Sequence, residues 1–161
     1  MKKVFLSLAS FLMLMTGCKV KQTTPAEEII GKTDVTINDG QFTPEVMWSM
    51  GKMGEATVSP DGSKIAYTVT YYDLDKNKGN AELYVMNADG TDCKQITQSA
   101  KSEFNPVWLT DSQLAFARGT DNGAQIFAIG IDDKNEKQLS NIPGGIEGFK
   151  LSPDQKKVIY T

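Results

Sequence analysis

The side chains able to do chemistry are few, and their types limit what that chemistry can be. Two cysteines, Cys18 and Cys93, supply the thiols, acidic residues are spread along the chain, and there is no histidine. A nucleophilic Ser or Cys needs a neighbouring base to take its proton, and the imidazole that usually does so is missing. Cys93 is therefore a poor nucleophile. No G-x-S-x-G elbow, H-E-x-x-H, C-x-x-C or phosphate-cradling glycine loop occurs, and no pair of carboxylates has a spacing suited to acid–base work. The sequence leads us to expect no catalytic residue, metal or cofactor. Aspartates do recur in one setting: Asp61, Asp111 and Asp154 each follow an apolar residue and precede an apolar pair that ends in an aromatic. Turn formation explains them more simply than a bound ion.

The elements that hold these aspartates are strands. In Ser59-Pro60-Asp61-Gly62, Pro presets φ, Asp can accept from local N–H groups, and Gly tolerates positive φ. Beyond the turn Ile65, Tyr67 and Val69 alternate with Ala66, Thr68 and Thr70, the two-residue period of a strand. The same pattern returns around Asp111 and again at Ser152-Pro153-Asp154. The period is 43 residues from 111 to 154, from 83 to 126 and from 95 to 138. Four short strands in about 40 to 45 residues is one β-propeller blade. A sandwich could place Gly and Asp by chance, but chance would not hold one period through three landmarks. The expected fold is therefore all-β, a partial propeller of about two and a half blades: 56–98, 99–141 and the start of another at 142–161. The first unit is longer, and the excess is expected as a loop around Tyr71 to Asn80. Gly144, Gly145 and Gly148 read as a φ-permissive turn between blades.

The segments before the blades differ from them. Residues 1–17 open with Lys2 and Lys3 and continue with an apolar run from Val4 to Met15, the plan of a secretory leader. Cys18 directly after Thr16-Gly17 resembles the lipobox of bacterial lipoproteins, although Met15 stands where Leu is usual. That resemblance implies acylation of Cys18, export and a lipid anchor in the bacterial cell envelope, periplasmic or at the cell surface. Cys93 would then have no thiol partner, so no disulfide is expected. Residues 18–40 are polar and read as a tether and first extended segment. In 41–55, Thr43-Pro44-Glu45 is a helix start, with Gly51 as its stop and Trp48 packed on the propeller rim. The net charge is −3 with no basic stripe, which argues against a nucleic-acid partner.

The run Thr43 to Ser49, the turn motif from Val58 to Tyr67, the stretch Glu82 to Thr91 and Lys94-Gln95-Ile96-Thr97 together resemble the N-terminal propeller of the prolyl oligopeptidase family. The secreted bacterial dipeptidyl-peptidase and acylaminoacyl-peptidase type is most similar. The resemblance covers about Gln41 to Thr161. It implies that bond cleavage belongs to a C-terminal α/β-hydrolase domain absent from this chain, and that the propeller screens peptide substrates. TolB-like envelope propellers, which bind protein partners, share the Ser-Pro-Asp-Gly turn and remain the alternative.

Overall fold

In the computed structural model, residues 27–37 and 39–161 are described. The leader, Cys18 and the first part of the proposed tether, to residue 26, lie outside the described residues. Three antiparallel sheets follow one another along the chain. The first has β1 (Lys52–Val58), β2 (Lys64–Asp73), β3 (Lys78–Asn87) and β4 (Lys94–Gln95) in spatial order 1-2-3-4. The second repeats that order with β5 (Glu103–Thr110), β6 (Gln113–Arg118), β7 (Gln125–Gly130) and β8 (Glu136–Gln138). The third is the hairpin of β9 (Phe149–Leu151) and β10 (Val158–Tyr160). Consecutive antiparallel strands in meander order are what a propeller blade requires.

The sheets bury their faces against each other. Ala66, Leu83, Val85 and Ile96 of the first unit meet Trp108, Leu114, Phe116, Phe127, Ile129 and Ile131 of the second in one core. The opposite face of the second sheet, through Ala115, Ala117 and Ile126, meets Ile146 and Phe149. This explains why Leu114 to Ala117 is apolar without alternation: both sides of β6 are covered, with Leu114 and Phe116 toward one neighbour and the alanines toward the other. Small residues on one face let the third sheet approach. Burying Phe116 completely is worth about 1.5–3 kcal/mol. Polar bonds fix the stacking register. Trp108 Nε1 donates to Thr57 O at 3.1 Å, and Gln155 Nε2 donates to Leu109 O at 2.9 Å.

One expectation is corrected and two are extended. The extra length of the first unit is not a loop. β2 and β3 stay paired from Lys64↔Asn87 out to Asp73↔Lys78, so the added residues form an arm closed by the turn Leu74–Asn77. Tyr71, Tyr72 and Thr70 are β-favouring and continue the alternation, so they lengthen the ladder. Gly51 stands just past the helix end, as expected, but packing rather than a left-handed turn requires glycine there. The helix α1 (Pro44–Ser49) ends with Met50 extended at φ −72°, and a Cβ on Gly51 would lie 2.6 Å from Val69 Cγ1, so glycine is there for close approach to β2. Gly145 is more than a turn residue. At φ 79° it lies backbone to backbone with Gly123, and a Cβ on either would overlap the other's main chain.

At its start α1 follows the sequence expectation. Thr43 is its N-cap and accepts from Val46 N at 3.4 Å, with Pro44 opening the helix. No helix among the described residues is long and apolar enough to cross a membrane.

Candidate functional site

The repeated turn residues are placed at one end of the sheets. Asp61 Oδ1 accepts from Ser59 Oγ at 2.6 Å and Ser63 N at 3.0 Å, while its Oδ2 accepts from Ser63 Oγ at 2.7 Å. These bonds hold its carboxyl well below the usual carboxylate range. Asp154 repeats the arrangement with Ser152 Oγ at 2.6 Å and Lys156 N at 3.1 Å, and its carboxyl is lowered for the same reason. Pro60 and Pro153 follow the serines, and Gly62 takes φ 74° where Gln155 takes φ 56°. Asp111 differs. Pairing in the second sheet runs on to Thr110↔Gln113, leaving a two-residue turn, and Asp111 Oδ1 instead accepts the Asp61 amide of the neighbouring blade at 2.9 Å. The second motif member thus joins blades rather than shaping its own turn. Among the described residues no group of three or more His, Cys, Asp or Glu is placed to hold a metal.

At the other end the 43-residue period reappears in buried polar latches that the sequence reading missed. Thr97 Oγ1 accepts from Leu83 N at 2.8 Å, and Ser140 Oγ accepts from Ile126 N at 2.8 Å. Glu82 Oε1 accepts from Ser99 N at 2.8 Å, and Gln125 Oε1 accepts from Ile142 N at 2.8 Å. The carbonyls of Ser99 and Ile142 are then satisfied by Asn80 Nδ2 at 2.7 Å and by Gln125 Nε2 at 2.8 Å. One glutamine does in the second blade what Glu82 and Asn80 share in the first. In both blades the strand edge is tied to the connector leading to the next sheet.

Around Glu82 this latch grows into a charged seam. Glu103 opens β5 with 1% exposure and accepts from Thr97 Oγ1 at 2.8 Å, Ser99 Oγ at 2.8 Å and Arg118 Nε at 2.6 Å. Arg118 also forks onto Glu136 at 2.6 and 2.8 Å and lies 5.1 and 5.0 Å from the rings of Phe116 and Phe127. Burial, then the adjoining Glu82 carboxyl, push Glu103 up to about 7 against the opposing pull of Arg118 and Ser99. Glu82 Oε2 and Asn80 Oδ1 are buried without a hydrogen-bond partner among the described residues. The Ser99 and Thr97 hydroxyls beside it are spent on these bonds, so its chemistry is that of a joint between blades.

An open groove of about 480 Å³ lies on the outside, between the extended segment 27–37, α1 and the β2–β3 arm. Trp48 meets Tyr72 edge to face at 5.1 Å, and Leu74, Val35 and Ile30 add apolar walls. Lys76 to Glu28 and Lys101 to Glu27, both 2.6 Å, fasten the segment to the arm and the connector. The arm is thus a built surface, with the open groove at its base.

No family model matches the chain. Curated relatives do. It is 37% identical over 142 residues to dipeptidyl-peptidase 5 of Porphyromonas gingivalis, covering 84% of this chain and 21% of that protein. To dipeptidyl-peptidase 5 of Porphyromonas endodontalis it is 30% identical over 130 residues, 80% of this chain and 19% of that one. The chain therefore spans about a fifth of the length of these relatives. Solved structures share the fold. The AtxE2 isopeptidase superposes with a TM-score of 0.61 at 18% identity, over 74% of this chain and 23% of its own. The propeller domain of the Pyrococcus furiosus trilobed protease gives 0.53 at 17%, over 68% and 33%. TolB from Acinetobacter baumannii gives 0.52 at 20%, over 68% and 26%. With two stacked four-stranded blades and this likeness to dipeptidyl-peptidase 5, the chain is similar to part of the β-propeller of prolyl oligopeptidase-family peptidases.

Proposed function

We propose that this chain works as the propeller that controls access to the active site of a cell-envelope serine peptidase of the dipeptidyl-peptidase kind. The observation that carries the reading is the 37% identity to dipeptidyl-peptidase 5 over 84% of this chain. The chain has no histidine and no G-x-S-x-G elbow, so a hydrolase domain outside it supplies the nucleophile, base and oxyanion hole. Its own part is physical: stacked blades wall off a chamber that peptides enter and folded proteins do not, and the arm and groove offer a contact surface toward peptide or hydrolase domain. In this reading Cys18 carries a lipid that holds the protein at the membrane. A lipoprotein propeller that binds envelope partners without catalysis is the second reading, supported by the TolB likeness.

One experiment separates the two. Reading the frame beyond Thr161 for a nucleophilic Ser with later Asp and His, then assaying the whole protein on chromogenic dipeptide substrates with and without a serine-directed phosphonate, gives phosphonate-sensitive release on the peptidase reading. A frame that closes after further blades, with no release, sinks it. Incorporation of labelled fatty acid that disappears in Cys18→Ala tests the anchor.

A further inference from the structure

We propose that Glu103 is held as a neutral acid in the folded chain at mildly acidic pH, donating its proton to Glu82 Oε2, so that the junction between the first two blades is a pH-sensitive joint that loosens as pH rises. The argument is geometric first. Glu82 and Glu103 are 2% and 1% exposed, reach in from β3 and β5 of adjacent blades, and are both held by Ser99, the first through its amide and the second through its hydroxyl. Glu82 Oε1 is fully engaged by Ser99 N and Asn80 Nδ2, yet Oε2 has no donor among the described residues. Two buried carboxylates held by the same serine cannot both ionise cheaply, and a proton from Glu103 satisfies the orphaned oxygen.

The surrounding charges do not supply an alternative. Arg118 on β6 gives Glu103 its Nε and spends its fork on Glu136 of β8. Lys101 on the connector is drawn out to Glu27. Glu55 on β1 holds the Asn105 amide. Tyr84 on β3, near Glu82, is pushed up to about 12 by burial and titrates far from this range. One cation thus faces three carboxylates, and the proton makes up part of the difference. The second blade shows the uncharged version of the same latch, because Gln125 stands where Glu82 does and provides its own N–H donor.

Glu103 at about 7 lies above the ordinary glutamate value, so the folded chain binds a proton that the unfolded chain releases. The stabilisation is complete below the unfolded value and is lost as pH rises through about 7. The chain's lack of histidine keeps imidazole titration out of this window. The experiment is denaturant unfolding of the chain between pH 5 and 8, beside Glu82→Gln, with carboxyl-13C glutamate labelling assigned by Glu103→Gln. We expect the unfolding constant of the native sequence to rise on the order of 50- to 100-fold from pH 5 to 8. Glu82→Gln, which supplies an N–H donor to an ionised Glu103, reduces that rise below about tenfold. The Glu103 carboxyl resonance should titrate near 7. A resonance already that of a carboxylate at pH 6, or a pH dependence unchanged by Glu82→Gln, overturns the proposal. Should Glu82→Gln fail to fold, the titration of the native chain decides alone.

Discussion

Replacing Arg118 with Met tests how the blades are joined. Met keeps an apolar stem over Phe116 and Phe127 but removes the guanidinium, which is 14% exposed and faces a fully buried Glu103 side chain and a one-third exposed Glu136 side chain. Three losses follow. The two ring contacts at about 5 Å account for about 1 kcal/mol. The Glu136 fork, partly in solvent, accounts for up to about 1 kcal/mol. The bond to Glu103 is worth about 1.5–3 kcal/mol when Glu103 is ionised and about 1 kcal/mol when it is neutral. The variant should therefore lose about 4 kcal/mol at pH 8 and nearer 2–3 kcal/mol at pH 5.5. Urea unfolding followed by the fluorescence of Trp108, buried at this junction, reads both values. In a double-mutant cycle with Glu103→Gln, coupling of about 1–2 kcal/mol at pH 8 should shrink at pH 5.5. A loss below about 1 kcal/mol at pH 8, or one equal at the two pH values, refutes the reasoning.

Other substitutions probe the backbone and the latches. Gly62→Ala meets open space but must hold φ 74°, so urea unfolding should report a loss of about 1 kcal/mol from conformation alone. At Gly145 the same change adds overlap with the Gly123 and Ala124 backbone to a φ of 79°, and the loss should exceed about 2 kcal/mol, with faster amide exchange at Ile146, whose N–H bonds Ala124 O. Gln125→Glu removes the donor to Ile142 O and places a buried charge beside it, for about 2–3 kcal/mol at pH 8 that should diminish toward pH 5 as the new carboxyl takes a proton. Asp61, whose carboxyl is held down by the Ser59 hydroxyl and the Ser63 amide and hydroxyl, keeps its turn at neutral pH. The turn should open as pH falls through the acid range, seen as loss of exchange protection at Gly62, whose N–H bonds Ser59 O.

Local pattern made much of this molecule legible. Pro44 and Thr43 mark a helix start through rules of one turn, and the alternation at Ile65, Tyr67 and Val69 marks a strand through rules of two residues. The repeat was visible because each blade needs the same strand lengths to cover its neighbour. The arm was misread because Tyr71 to Asn80 carries the polar residues of a loop in its second half. There ladder pairing with β2 overrode composition, as it does when every backbone group gains a partner.

The sequence by itself determined where the strands and turns fall outside the β2–β3 arm, the 43-residue spacing, and the lack of a histidine for catalysis, since these follow from residue type and near neighbours. Only the tertiary structure decided that Glu82, Glu103 and Arg118 meet, that Asp111 turns to the neighbouring blade, and that Gly123 and Gly145 touch. Those residues lie on different strands or connectors, and which of them share a water-free space depends on how one sheet stacks on the next, a distance in space that no local period encodes.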